Sequence, residues 1–173
     1  MSDNNKLKGL RGWLILVGIG VVIGPFRLMY GYGPIYYSIF TDGTFQILTD
    51  TGSEAYHPLW GPLLIGEALY NSLMVLVYAY LIYLFFSRHY LFPKVYITIV
   101  VISLIFIPLD AWLGSFVITD EPMFDPDTTK EFVRTLMVGI IWIPYMLVSK
   151  RVEATFTEKL PNKQMQPAAE GVG

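Results

Sequence analysis

Four long apolar runs separated by short polar stretches set the plan of this chain. The first, from Gly12 to Tyr30, has nineteen residues and one charge, Arg27. At about 1.5 Å per residue it is long enough to cross a bilayer core of about 30 Å. The pattern predicts helices over residues 12–30, 59–86, 95–118 and 129–148. Pro58 and Pro62 fall at the first turn of the second helix, where a missing N–H is tolerated. That helix is longer than a span needs, so it either tilts or stands above the bilayer core. Thr128-x-x-Glu131 has the form of a capping box opening the fourth helix. Between the first two helices, the β-branched and aromatic runs Ile35–Phe40 and Phe45–Thr49 flank Thr41-Asp42-Gly43-Thr44. An Asp-Gly turn in that setting predicts a small hairpin. The alternative is an aromatic segment at the interface, carried by Tyr30, Tyr32, Tyr36 and Tyr37. Gly20-x-x-x-Gly24 predicts a close approach between helices within the bundle.

Composition agrees with this plan. Of 173 residues, 54% are hydrophobic and 15% charged, against about 25% charged in a soluble domain. The expected fold is an all-α integral membrane four-helix bundle. It has a polar N-terminal segment over 1–11, a transmembrane domain over 12–150 and a polar tail over 151–173. The first run is longer than the apolar region of a signal peptide and lacks a small-x-small cleavage site, so it reads as a retained helix. The absence of cysteine excludes disulfides, thiolate metal sites and a cysteine nucleophile. The net charge of −2 hides a marked sidedness. Nine basic residues (Lys6, Lys8, Arg11, Arg88, Lys94, Lys150, Arg151, Lys159 and Lys163) flank one side of the predicted bundle. The other side has Lys130 and seven acids: Asp42, Asp50, Glu54, Asp120, Glu121, Asp125 and Asp127. The positive-inside rule then places both termini in the cytoplasm. No clustered basic face is present, so nucleic acid is not an expected partner.

Counted from the cytoplasmic end of each helix, Arg27, Asn71, Asp110 and Arg134 each lie fifteen or sixteen residues in. They share one level about 22–24 Å above the inner edge. Glu67 lies one turn above Asn71 on the same face. Charged groups facing lipid cost about 2.5–3.5 kcal/mol each at mid-bilayer, so they are expected to face inward and pair. The proposed pairs are Arg27 with Glu67 and Asp110 with Arg134, and cross pairing is equally compatible with the spacing. Two roles follow for the layer Arg27, Glu67, Asn71, Asp110 and Arg134. It either holds the bundle of a non-catalytic membrane interaction module together, or forms the outward-facing site of a small transporter or of a ligand or proton sensor.

Other chemistry is sparse. His57 and His89 fall on opposite sides of the predicted membrane and cannot share a metal or haem. No Ser-His-Asp arrangement, H-E-x-x-H or P-loop is present. No catalytic residue, cofactor or metal is assigned, and an enzyme is not expected. The expected partners are the lipid bilayer and a membrane protein, either a different one or a second copy.

The chain resembles the bacterial inner-membrane family catalogued as domain of unknown function 2569. The resemblance rests on Gly12-Trp13-Leu14, Pro25-x-Arg27, His57-Pro58-Leu59-Trp60 with Glu67, Phe92-Pro93-Lys94, and Asp110 with Glu121-Pro122-Met123-Phe124-Asp125. It extends through Glu131-Phe132-Val133-Arg134, Ile141-Trp142-Ile143-Pro144-Tyr145 and Ser149-Lys150-Arg151-Val152, covering residues 9–157 and omitting the tail. It implies a four-helix protein of the bacterial cytoplasmic membrane and brings no established activity.

Overall fold

A computed structural model describes residues 8–120 and 122–158. Lys6, Glu121, Lys159, Lys163 and the tail from Pro161 lie outside the described residues. The order is α1 (Trp13–Thr41), α2 (Thr44–Thr49), α3 (Trp60–Phe86), α4 (Phe92–Gly114), α5 (Pro126–Val148) and α6 (Lys150–Thr155). The helices α1, α3, α4 and α5 are each long and apolar enough to cross a membrane. Much of their surface is exposed leucine, isoleucine and phenylalanine, such as Leu76 at 68% and Leu147 at 70%. A surface of this kind belongs in lipid. The protein is an all-α, multi-pass membrane protein.

On α1 the stripe Leu14, Val17, Gly18, Val21 and Pro25 is buried at three- and four-residue spacing and faces α3. Two glycines let the helices close. A Cβ at Gly18 would sit 2.7 Å from the Phe85 ring, and one at Gly24 would sit 2.6 Å from Tyr78 Cε1. Gly20 instead faces open space, so the close-approach pair is Gly18 and Gly24 rather than Gly20 and Gly24. α1 packs along α3, α4 along α5, and α3 along α4. The α1–α5 seam is not among the helix pairs in extended backbone contact.

The expected hairpin does not form. Residues 35–40 continue α1 and residues 44–49 form α2, and the described residues contain no strand beyond one isolated bridge. A helix already nucleated by twenty apolar residues propagates at little cost, and Pro34 removes only one backbone donor from it. Asp42-Gly43 becomes a helix-to-helix turn. Gly43 adopts φ 90°, Asp42 Oδ1 accepts from Thr44 N at 2.9 Å, and Ser38 Oγ donates to Asp42 Oδ2 at 2.7 Å. Hydrogen bonds from Thr44 and Ser38 hold the Asp42 carboxyl down at about 2. α1 is therefore about 43 Å long and carries Tyr32, Tyr36 and Tyr37 well past the Tyr30 boundary.

The expected capping box is also displaced. α5 begins at Pro126, and its cap is Asp125, whose Oδ1 accepts from Asp127 N at 2.7 Å and Thr128 N at 2.8 Å. Thr128 donates its hydroxyl to Asp125 Oδ2 at 2.9 Å. Asp followed by Pro at the first helical position is the stronger start signal. Glu131 is thus left inside the helix and free for other contacts.

The end of the bundle nearest both termini is densely closed. Ser149 ends α5 and caps α6, and α6 folds beneath the other helices with Val152, Thr155 and Phe156 buried. The Phe156 ring lies 4.6 Å from Phe92 and 5.9 Å from Phe85. Thr155 Oγ1 accepts from Gly9 N at 3.1 Å and donates to Gly9 O at 3.3 Å. Glu158 pairs its backbone with Arg88 and Tyr90 in the α3–α4 turn. Three segments distant in sequence are tied together at this end.

Candidate functional site

The opposite, distal half of the bundle is not filled. Four helices diverge there around a cavity of about 650 Å³. Its lining includes Arg27 from α1, Glu67 and Asn71 from α3, Asp110 from α4 and Arg134 from α5. These are the four polar positions that the helix counts bring to one level, with Glu67 one turn above them. Tyr32 and Tyr36 from the extended part of α1 and Glu131 from α5 join them.

The pairing differs from the expected one. Arg27 Nη2 bonds Glu131 Oε2, joining α1 to α5. Arg134 Nη1 reaches the same oxygen at 3.2 Å. Neither Glu67 nor Asp110 forms an ion pair among the described residues. Helix geometry explains the outcome. Glu131 stands one turn above Arg134 on α5, and a long guanidinium side chain extends toward the wetter end of its helix. Arg27 therefore reaches a carboxylate one level higher than its own Cα.

The α3 side holds a separate network. Asn71 Nδ2 donates to Tyr36 Oη at 3.0 Å, and Tyr36 Oη donates to Glu67 Oε2 at 3.2 Å. Asn71 also donates to the Glu67 carbonyl at 3.0 Å. Asp110 has no hydrogen bond among the described residues, and its charge acts on Glu67. Tyr32 lines the same cavity, its ring stacked on that of Tyr36 with centroids 6.3 Å apart. Below them Tyr70 bonds Ser103 at 3.0 Å and stacks on Phe106 at 3.5 Å.

The site thus has two poles. The α1–α5 wall carries two guanidiniums on one carboxylate, a net charge of +1. The α3–α4 wall carries two carboxylates with no cation beside them. Such a cavity can bind a small molecule that carries a positive group, a negative group or both. The histidines take no part, since His57 Nδ1 and His89 Nδ1 accept from backbone N–H groups two residues on. Among the described residues no group of three or more His, Cys, Asp or Glu side chains is placed to hold a metal.

Residues 7–157 match the model of a family described as a protein of unknown function, DUF2569. The chain belongs to that family. No curated protein and no solved structure matches it. Membership of DUF2569 names no activity and leaves the chemistry to be argued from the cavity.

Sequence reasoning missed Glu131 and Tyr36. Glu131 was absorbed by the capping-box reading, although its position three residues before Arg134 puts both on one face. Tyr36 falls in the segment read as a hairpin or as an interfacial aromatic run. On a continued α1 it stands nine residues from Arg27 and so on the opposite side of the helix, which is why Arg27 reaches α5 and Tyr36 reaches α3.

Proposed function

We propose that this protein is a non-catalytic carrier or sensor of the bacterial cytoplasmic membrane that binds a small molecule in the distal cavity. In this reading both termini are cytoplasmic, the dense end seals the inner side, and the cavity opens outward. The basic residues flanking the terminal end support that orientation.

One observation carries the reading: the polar layer surrounds an unfilled volume. A layer whose only task is to hold helices together is expected to be packed and internally neutralised. Here Arg27, Glu131 and Arg134 do tie α1 to α5, but Glu67 and Asp110 remain without a cation beside 650 Å³ of space. That volume is within the range of small-molecule sites.

The absence of cysteine makes the test direct. Ser103→Cys places a thiol in the cavity, Thr51→Cys one in the distal loop, and Lys150→Cys one at the terminal end. In intact cells a small membrane-impermeant thiosulfonate added outside should label positions 51 and 103 and spare 150. A Ser103→Cys thiol that reacts only after denaturation, with position 51 still labelled, would overturn the proposal.

A further inference from the structure

The cavity changes character along its depth. Its lining on α3, α4 and α5 spans twelve residues of each helix, from Glu67 to Tyr78, Ile99 to Asp110 and Asp127 to Val138, a depth of about 16 Å. Every charged group lies in the distal part. The floor is Met74, Tyr78, Ile99, Val100 and Val138, with no carboxylate, amine, guanidinium or imidazole among them and the Tyr78 phenol as its one polar side chain. A polar solute alone would leave that floor unmatched, and an apolar one would leave the charged layer unmatched.

The wall between α1 and α5 adds a second, independent feature. These helices meet at two levels: the Trp13 and Trp142 rings lie 6.3 Å apart, and Arg27 bonds Glu131. Trp13, Gly20 and Arg27 are seven residues apart in turn and so share one face of α1. Gly20, midway, has nothing within 4 Å of where a Cβ would stand. Ile23, on the same stripe, is 55% exposed. The seam therefore has unfilled space beside Gly20, below the ion pair, while the cavity's own lining on α1 begins at Arg27.

We infer that the ligand is a single-chain zwitterionic amphiphile, its ammonium group against Glu67 and Asp110, its anionic group against Arg134 and Arg27, and its hydrocarbon chain over the apolar floor toward the α1–α5 seam. This inference rests on the outward-opening site proposed above and adds the class of molecule it takes. The two poles suit a head with both charges. The apolar floor suits a chain, and the unfilled space at the α1–α5 seam lets that chain remain in or return to the bilayer. A membrane-resident ligand also fits a protein so largely exposed to lipid.

The test uses the full chain in dodecylmaltoside with four probes in equilibrium binding. Myristoyl lysophosphatidylethanolamine has both charges and a chain. Myristoyl lysophosphatidylglycerol lacks the amine, dodecylammonium lacks the anion, and glycerophosphoethanolamine lacks the chain. The first should bind saturably and at least tenfold more tightly than each of the others. Glu67→Gln with Asp110→Asn should remove the preference over the glycerol head while leaving binding of that lipid unchanged. Arg134→Gln should weaken both phospholipids. Gly20→Phe, which adds bulk where there is open space, should weaken the chain-bearing probes and spare the soluble head; size-exclusion profile and melting temperature confirm its fold. Equal binding of the chain-free probe overturns the amphiphile, and equal binding of the two phospholipids overturns the zwitterion. No saturable binding by any probe, with Ser103→Cys still labelled from outside, overturns this inference and leaves the outward opening standing.

Discussion

Glu131 is the residue on which the α1–α5 contact turns, and Glu131→Gln isolates its charge. Its Oε2 receives both Arg27 and Arg134. Glutamine keeps the length and one acceptor but leaves two guanidiniums facing one neutral oxygen. A charge-assisted hydrogen bond contributes about 1.5–3 kcal/mol when shielded and about 0.2–1 kcal/mol when exposed. The side chains here are 46%, 42% and 27% exposed, between those limits. The repulsion between the two guanidiniums is present in the parent as well, so the substitution removes the two attractions to the carboxylate and leaves that repulsion unopposed. The expected loss is about 2–3 kcal/mol. Unfolding titrated with dodecyl sulfate in mixed micelles, followed by tryptophan fluorescence, reads it. Charge exchange sharpens the test. Arg27→Glu combined with Glu131→Arg rebuilds one carboxylate between two guanidiniums and should recover at least half the loss caused by Arg27→Glu alone. Arg27→Glu combined with Glu67→Arg places two carboxylates together on the α1–α5 wall and should recover none. A Glu131→Gln protein within about 0.5 kcal/mol of the parent, or better recovery from the exchange with position 67, would refute the reasoning.

Gly24→Ala drives a methyl into the Tyr78 ring, 2.6 Å from Cε1, and should cost about 1–3 kcal/mol, whereas Gly20→Ala should be neutral or stabilising by about 0.5–1 kcal/mol; the same micelle titration compares them. Asp125→Ala should destabilise α5 by about 1 kcal/mol through loss of its cap. Hydrogen bonds from the Thr128 and Asp127 backbone N–H groups and the Thr128 hydroxyl hold the Asp125 carboxyl below its ordinary value. The cap therefore contributes fully above the unfolded value near 3.9 and fades as pH falls through the lower native one. Amide exchange at residues 127 and 128 should quicken in acid in the parent and be pH-insensitive, after correction for intrinsic exchange, in Asp125→Asn. Phe156→Ala should cost about 3–5 kcal/mol, because the ring is 5% exposed and packed on Phe92 and Phe85; limited proteolysis should then cut α6 first. Thr155→Val leaves the Gly9 N–H and carbonyl unmatched and should release the N-terminal segment at about 1–3 kcal/mol, seen as faster amide exchange at Gly9.

The bundle was legible because burial in lipid leaves no alternative to helices for long apolar runs. Counting residues from the helix ends brings Arg27, Asn71, Asp110 and Arg134 to one level and Glu67 one turn above, since rise per residue is fixed. Which acid each arginine meets was not legible. It depends on the rotation of each helix about its axis and on the reach of a flexible guanidinium, and neither is set by counting. Glu131 shows the difficulty: one residue fitted a local capping pattern and a tertiary ion pair, and Asp125 had already taken the cap. Residues 35–49 show the opposite error. Their β-branched and aromatic content favoured strands locally, but a helix propagating from Trp13 overrode it. The cavity itself could not be read in advance, because it records where side chains fail to meet.

The two ends of the bundle divide the physical tasks between them. At the terminal end Phe85, Phe92 and Phe156 fill the space between helices, and Thr155 and Glu158 fasten loops to it. Interiors packed this way resist deformation and give a sharp energetic minimum. At the distal end long polar side chains meet in small networks around the cavity, with Glu67 and Asp110 lacking a cation among the described residues. A void of that kind is unfavourable for stability alone, since its lining forfeits dispersion contacts. Its cost is affordable only because the other end fixes the helix positions. This asymmetry also locates motion. α1 meets α5 through the Arg27–Glu131–Arg134 cluster beside the cavity and the Trp13–Trp142 contact nearer the terminal end, whereas α1–α3, α3–α4 and α4–α5 are packed along one another. Separation of α1 from α5 at the distal end, away from the aromatic plug, therefore disrupts less packing than separation of α1 from α3, α3 from α4 or α4 from α5, and a ligand seated among Arg27, Glu67, Asp110 and Arg134 touches all four helices.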